Sequence, residues 1–380
     1  MSSKEKIINL VESKKDFFAK VNDDVWATPE LGFLEFESAK TLMKALDDQG
    51  FKVEKGLAGI ETAFKGTWGS GKPVISFLGE FDALPSLSQE ASCNVKKPVE
   101  EGGNGHGCGH CNLGAGSMAA ATALKEYMEE NNLPGTVVYF GCPAEESGCG
   151  KTFMAREGVF DDVDIALTWH PGSTNSVWGM SSLANIVVFF HFKGVTAHAA
   201  AAPHLGRSAL DAAELMNVGV NYMREHMEST DRIHYAVLDT GGISPNVVQA
   251  KATVLYLIRS INTEKVLALY ERVQKIAKGA ALMTETEVEI IFDKGCSNVL
   301  PNAVLEDLIH ESMERVGVPE YTEEELAYAQ QFTNTFSEAQ FASELGVSCS
   351  TKKIKEAALK RIREEGPMHK FVVPHQHSEA

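Results

Sequence analysis

Three short apolar runs, Val74–Leu78 (VISFL), Thr136–Phe140 (TVVYF) and Asp164–Thr168 (DIALT), constrain this chain more than any other feature. Each is bounded by Gly, Pro or Asp, and helical stretches lie between them, notably Gly116–Glu130. Strand, helix, strand in that rhythm predicts an α/β fold, a mainly parallel sheet with helices on both faces. In such sheets chemistry-bearing residues gather just beyond the carboxyl ends of the strands.

The pattern changes near Ser181. Strands at Asn185–Lys193, Tyr235–Asp239, Ala252–Ile258 and Glu287–Phe292, with helices at Arg207–His226 and Thr263–Lys278, run β-α-β-β-α-β. That order predicts a ferredoxin-like domain at residues 183–297, inserted into a first domain made of residues 1–182 and 298–380. The tail from about Glu338 is polar and poorly periodic.

Composition narrows the function. There are 35 basic and 52 acidic residues, a net charge of −17, and 44% of residues are apolar. A chain of 380 residues with that balance can bury a full core, and it argues against phosphate-backbone and anionic-membrane partners. The amino terminus, MSSKEKIINLVESKKDF, reads as an amphipathic helix rather than a signal peptide, and no stretch reaches the about 18 apolar residues a span needs, so a cytoplasmic protein is expected. Seven scattered Cys (93, 108, 111, 142, 149, 296 and 349) form no disulfide framework.

The densest chemistry is Gly-Asn-Gly-His-Gly-Cys-Gly-His-Cys-Asn at 103–112, which puts His106, Cys108, His110 and Cys111 in a Gly-rich loop at a helix start. Soft and borderline ligands so placed suit a metal ion. Cys108-Gly-His-Cys111 also matches the C-x-x-C of disulfide exchange, but that reading leaves the downstream carboxylates unexplained. Those are Glu145 and Glu146, directly after the second strand: one acid can ligate a metal while its neighbour acts as general base, although acids also favour ordinary helix starts. His170 follows the third strand, and Asp82 follows the first, either as an orienting partner for a ligating imidazole or as a turn residue. Each signal is weak alone; three successive strand ends bearing them are not.

EFDALP, HGCGH, PAEE and TWHP, in that order and with WATPELGFLE at 26–35 upstream, resemble the zinc or manganese amidohydrolases that cleave hippurate, auxin conjugates and aminobenzoyl-glutamate. The resemblance implies a catalytic domain with a four-stranded dimerisation or lid domain. It implies metal ligands at Cys108, His110, Glu146 and His170, with Cys108 bridging two divalent ions, Mn²⁺ or Zn²⁺. It further implies Glu145 as general base, Asp82 as support, His198 as a residue reaching the active site of a neighbouring protomer, and Asn246 and Arg259 as holders of the substrate carboxylate. The implied substrate is a small N-acyl or N-aroyl amino acid, with p-aminobenzoyl-glutamate favoured; the partner is a second copy or a related subunit. The alternatives are a dipeptidase acting on β-alanyl or lysyl dipeptides and a catalytically silent metal-binding subunit.

Two departures carry expectations. Cys111 stands where relatives have Asn or Asp, which predicts an altered metal or an oxidation-sensitive site. A last His ligand, following a Gly-Ser-Thr-Asp-type segment, has no counterpart, which suggests a truncated chain; His369, His375 and His377 are read as tail residues.

Overall fold

The computed structural model describes residues 3–337, 339–340, 342–343, 351–366, 368 and 370–375. The chain divides into two compact units, Met1–Gly179 with Ala303–Ala380, and Met180–Asn302.

In the first unit, helices α1 (Ser3–Ser13), α2 (Lys15–Trp26) and α3 (Phe36–Asp48) precede strands β1 (Lys52–Lys55), β2 (Phe64–Ser70) and β3 (Val74–Gly79). Helix α4 (His110–Glu130), β4 (Gly135–Gly141), the short α5 (Glu145–Gly148), α6 (Gly150–Arg156) and β5 (Ile165–Leu167) complete it up to Gly179. The sheet order is β1-β2-β4-β3-β5. Strands β3, β4 and β5 are mutually parallel, whereas β1 and β2 form an antiparallel ribbon that joins the edge of β4. Strand β4 is buried along its whole length, as expected of a run apolar at nearly every position and covered on both faces. On one face Val137 and Tyr139 pack with Val21 and Val25 of α2, Leu42 and Leu46 of α3, and Ala115 and Met118 of α4. On the other, Val138 and Phe140 meet Met154 of α6 and Phe160.

Helix α4 begins six residues before the Gly116 start expected from sequence, so His110 and Cys111 lie in its first turn rather than in a loop. Glycines argue against helix there, yet close packing requires them: a Cβ on Gly114 would stand 2.8 Å from the carbonyl oxygen of Glu80. Gly109 supplies the left-handed turn (φ 82°) that starts the helix.

The second unit has strands β6 (Ala184–Lys193), β7 (Arg232–Asp239), β8 (Lys251–Ser260) and β9 (Glu287–Cys296) and helices α7 (Ala209–Met223) and α8 (Thr263–Met283). All its strand pairs are antiparallel, in the order β7-β8-β6-β9. The alternating pattern of β6 and β8 turns Ile186, Val188, Phe190, Val254, Tyr256 and Ile258 onto the two helices, leaving the other face free of them.

The chain returns to the first unit through α9 (Ala303–Val316), α10 (Glu323–Thr333) and α11 (Lys352–Glu365). Where the sequence reads only as a polar tail, Ile354 and Ala358 of α11 form a small core with Phe371 and Val373, and the Val373 N–H donates to the Asn175 carbonyl at 2.8 Å. Anchored this way, His375 is not a loose tail residue: its Nε2 lies 3.4 Å from Glu306 Oε2, and its ring lies beside His310. His369 and His377 fall outside the described residues.

Candidate metal centre

Parallel strands β3, β4 and β5 end together, with Gly79 in register with Gly141, so the segments that follow them open onto one crevice. From β3 come Glu80 and Asp82, from β4 Glu145 and Glu146, and from the loop after β5 His170; the start of α4 adds Cys108 and His110.

His110 is fully buried and organises the cluster. Its Nδ1 lies 2.9 Å from Asp82 Oδ1, and the other carboxylate oxygen of Asp82 accepts the Glu146 N–H at 2.9 Å. That arrangement puts a proton on Nδ1 and turns Nε2 into the crevice. There Nε2 lies 3.2 Å from Glu80 Oε2, 3.8 Å from Glu145 Oε2 and 4.0 Å from Glu146 Oε1. Against the pull of burial, Asp82, Cys108 and Glu80 push the His110 pKa up to about 11, so a proton is held where a cation would displace it. Cys108 Sγ lies 3.3 Å from His170 Nε2, while His170 Nδ1 lies 2.8 Å from the Pro171 carbonyl. Hydrogen bonds from His110 and His170 hold the Cys108 thiol below its usual range, toward the thiolate a metal takes. Burial, then the charge of Glu80, raises Glu145 above the ordinary carboxylate range.

Two overlapping groups have ligand atoms close enough to hold an ion, Cys108 with His110 and His170, and Glu80 with His110 and Glu145; with Nδ1 facing Asp82, His110 has one free nitrogen and serves one ion at a time. Three buried atoms aimed into the crevice, Glu80 Oε2, His110 Nε2 and Glu146 Oε1, lack any hydrogen-bond partner. With His110 neutral these are three crowded acceptors that need a cation among them in place of the displaced proton, so these residues fit divalent metal.

The other two residues of the Gly-rich loop face elsewhere. His106 Nε2 lies 3.0 Å from the Val25 carbonyl, beside Trp26, and burial lowers its pKa. Cys111 points into the core with Ala115 and Met118, and burial pushes its thiol up to about 11. The expectation that Cys111 alters the metal site therefore does not hold geometrically: on the first turn of α4 it faces the core, and it is absent from both ligand groups.

His198, Asn246 and Arg259 belong to the second unit. The Ala199 N–H donates to the Asn246 carbonyl, which brings the two loops together, and His198 Nδ1 accepts the N–H groups of Ala200 and Ala201. Both His198 and Asn246 are exposed, and Arg259 is half-buried on the sheet face opposite α7 and α8.

Two further residues stand out only in the folded chain. Glu80 is one. The other is Glu35, fully buried, whose Oε1 accepts the Ala144 N–H at 2.7 Å while its Oε2 accepts from Thr62 Oγ1. Ala144 has left-handed backbone (φ 56°, ψ 44°), an unfavourable state for a residue with a Cβ, immediately before Glu145. Glu35 thus fixes the turn that presents the acid pair. Burial raises its pKa. A raised carboxyl favours folding when protonated and loses that advantage as pH rises from the unfolded value through the folded one. Glu35→Gln retains an acceptor for Ala144 and removes this dependence. Across pH 4–8, the melting temperature of the metal-free variant should gain on wild type with rising pH and then level off. A constant difference would contradict this. Glu35→Ala, which orphans the Ala144 N–H, should lose about 1–3 kcal/mol or more.

Residues 77–358 match Peptidase family M20/M25/M40. The chain belongs to that family. It is 51% identical over 331 residues to one subunit of the p-aminobenzoyl-glutamate hydrolase of Escherichia coli (strain K12), covering 87% of this chain and 69% of that protein. To a second subunit of the same hydrolase it is 31% identical over 266 residues, covering 67% and 59%. It is 27% identical over 331 residues to the Xaa-Arg dipeptidase of Mus musculus, covering 83% and 72%. Among solved structures, the aminobenzoyl-glutamate utilization protein from Klebsiella pneumoniae superposes with a TM-score of 0.64 at 21% identity, over 82% of this chain and 83% of that one, so this M20 member shares its fold. Among the described residues, no helix is long and apolar enough to cross a membrane.

Proposed function

We propose that this chain is a metal-dependent amidohydrolase that cleaves p-aminobenzoyl-glutamate to p-aminobenzoate and glutamate. The observation that carries the reading is the convergence of Cys108, His110, Glu145, Glu146 and His170 at three parallel strand ends. The 51% identity to a hydrolase of that substrate supports it. Cys108, His110, Glu146 and His170 would hold the metal, with Asp82 orienting His110. Charge supports two ions: among the described residues, Glu80, Asp82, Glu145, Glu146 and a Cys108 thiolate are set against one lysine, Lys151, once His110 and His170 are neutral ligands, leaving four negative charges for two divalent ions to balance. The thiolate and imidazoles suit Zn²⁺, and the carboxylates suit Mn²⁺.

Bound metal supplies Lewis acidity and makes a water more acidic at neutral pH. Glu145 takes the water's proton and delivers it to the leaving amine. By resemblance, His198 stabilises the developing oxyanion in a neighbouring protomer, and Asn246 and Arg259 hold the substrate carboxylate. The likeness to two different subunits of one hydrolase favours a related second chain over a homodimer. A cytoplasmic location accords with this chemistry. The likeness to an Xaa-Arg dipeptidase supports a second reading, cleavage of basic dipeptides.

The test is release of p-aminobenzoate, followed by chromatography, from the metal-free chain reloaded with Mn²⁺ or Zn²⁺, alone and with a homologue of the hydrolase's second subunit. Turnover abolished by chelation is expected. No release under any of these conditions overturns the proposal, and preferential cleavage of basic dipeptides replaces it with the second reading.

A further inference from the structure

Glu80 has no part in the ligand set that the motifs imply, yet it is buried, at 7% exposure, more deeply than Glu145 or Glu146. One carboxylate oxygen pairs with Lys151 Nζ, which α6 brings across. The other, Oε2, has no hydrogen-bond partner and lies 3.2 Å from His110 Nε2, which also has none. Asp82 already accepts at Nδ1, so in a neutral His110 the Nε2 position carries a lone pair. Once the Nε2 proton is displaced, these are two acceptors 3.2 Å apart and shut off from water, and the cation that displaces it takes its place between them. Ligands on one ion with bonds of about 2.0–2.1 Å stand roughly 3.3 Å apart in a tetrahedral arrangement, close to the separation observed.

We propose that Glu80 is itself a metal ligand, sharing with His110 the ion nearest Glu145, while Lys151 occupies its second oxygen and limits it to one bond. The assignment rests on the metal-dependent reading of function. It makes the two ion positions chemically unequal. The one with Cys108 and His170 is rich in thiolate and imidazole, and the one with Glu80, which has the base Glu145 beside it, is rich in carboxylate. By ligand softness the first prefers Zn²⁺ and the second Mn²⁺. The short helix α6 follows from this as part of the site, because it carries the lysine that balances the added carboxylate.

The experiment titrates the metal-free full-length chain with Mn²⁺, reading free ion by electron paramagnetic resonance. Glu80→Gln should weaken one Mn²⁺ position by about tenfold or more. Lys151→Met, which leaves Glu80 in place, should bind Mn²⁺ at least as tightly as wild type. The double variant Glu80→Gln/Lys151→Met removes both members of the ion pair and should remain as weak as Glu80→Gln alone. Unchanged affinity in Glu80→Gln overturns the assignment, as does weakened affinity in Lys151→Met. Recovery in the double variant also overturns it, by showing that Glu80 serves only to neutralise the lysine. A wild-type chain that binds neither Mn²⁺ nor Zn²⁺ would instead overturn the functional reading.

Discussion

Glu145→Gln is expected to lower kcat by about 10²–10⁴-fold while leaving metal stoichiometry unchanged, the range spanned by loss of a positioned general base. The substitution is nearly isosteric, and the Glu145 side chain is 43% exposed, so little folding stability depends on its charge. What disappears is the proton acceptor. Wild-type kcat/KM should fall at acidic pH, where the base becomes protonated. The residual activity of Glu145→Gln should lack that acid limb. Steady-state kinetics with metal analysis on the same samples decides the matter, and a variant with full turnover and bound metal would show that another group is the base.

Asp82→Asn should cost about 10–100-fold in metal affinity, with a parallel loss of activity at limiting metal. Asn can still accept the Glu146 N–H, so the turn bearing the acid pair is retained. With its oxygen so used, it presents its amide NH2 toward His110. A donor there favours the tautomer with its proton on Nε2, the nitrogen that must be free to ligate. The effect stops short of complete loss, because the Asp82 carbonyl also lies 3.2 Å from His110 Nδ1 and continues to favour the productive tautomer. Calorimetric titration with Zn²⁺ measures the change, and wild-type affinity would remove Asp82 from the site's support.

Legibility from sequence follows the locality of the signal. The strands VISFL and TVVYF, and the β-α-β-β-α-β order of the second unit, are periodic over five or more residues, and the structure places strands there. The ribbon Lys52–Lys55 with Phe64–Ser70 is not legible, since a four-residue strand and a run interrupted by two glycines carry little periodicity. The start of α4 reads too late for the opposite reason: Gly114 and Gly116 weaken local propensity, and only their close neighbours, the Glu80 carbonyl and the Trp169 ring, show why no larger residue fits. The tail helix α11 is hidden because its few apolar residues pack with Phe371 and Val373, which lie beyond its end.

The sequence by itself determined the class of fold and which residue types reach the crevice, because strand ends in a parallel sheet converge whatever the details of packing. It could not determine which atoms face the ion. His106, Cys108, His110 and Cys111 are equivalent as a string, yet the helical turn at His110 and the α2 carbonyl at Val25 send His106 and Cys111 into the core and leave Cys108 and His110 in the crevice. Glu80 and Glu35 are indistinguishable from ordinary surface acids in the sequence. Their roles arise from burial and from partners far along the chain, Lys151 and Ala144, and burial of a carboxylate beside a particular donor or orphaned imidazole is a property of the folded interior alone.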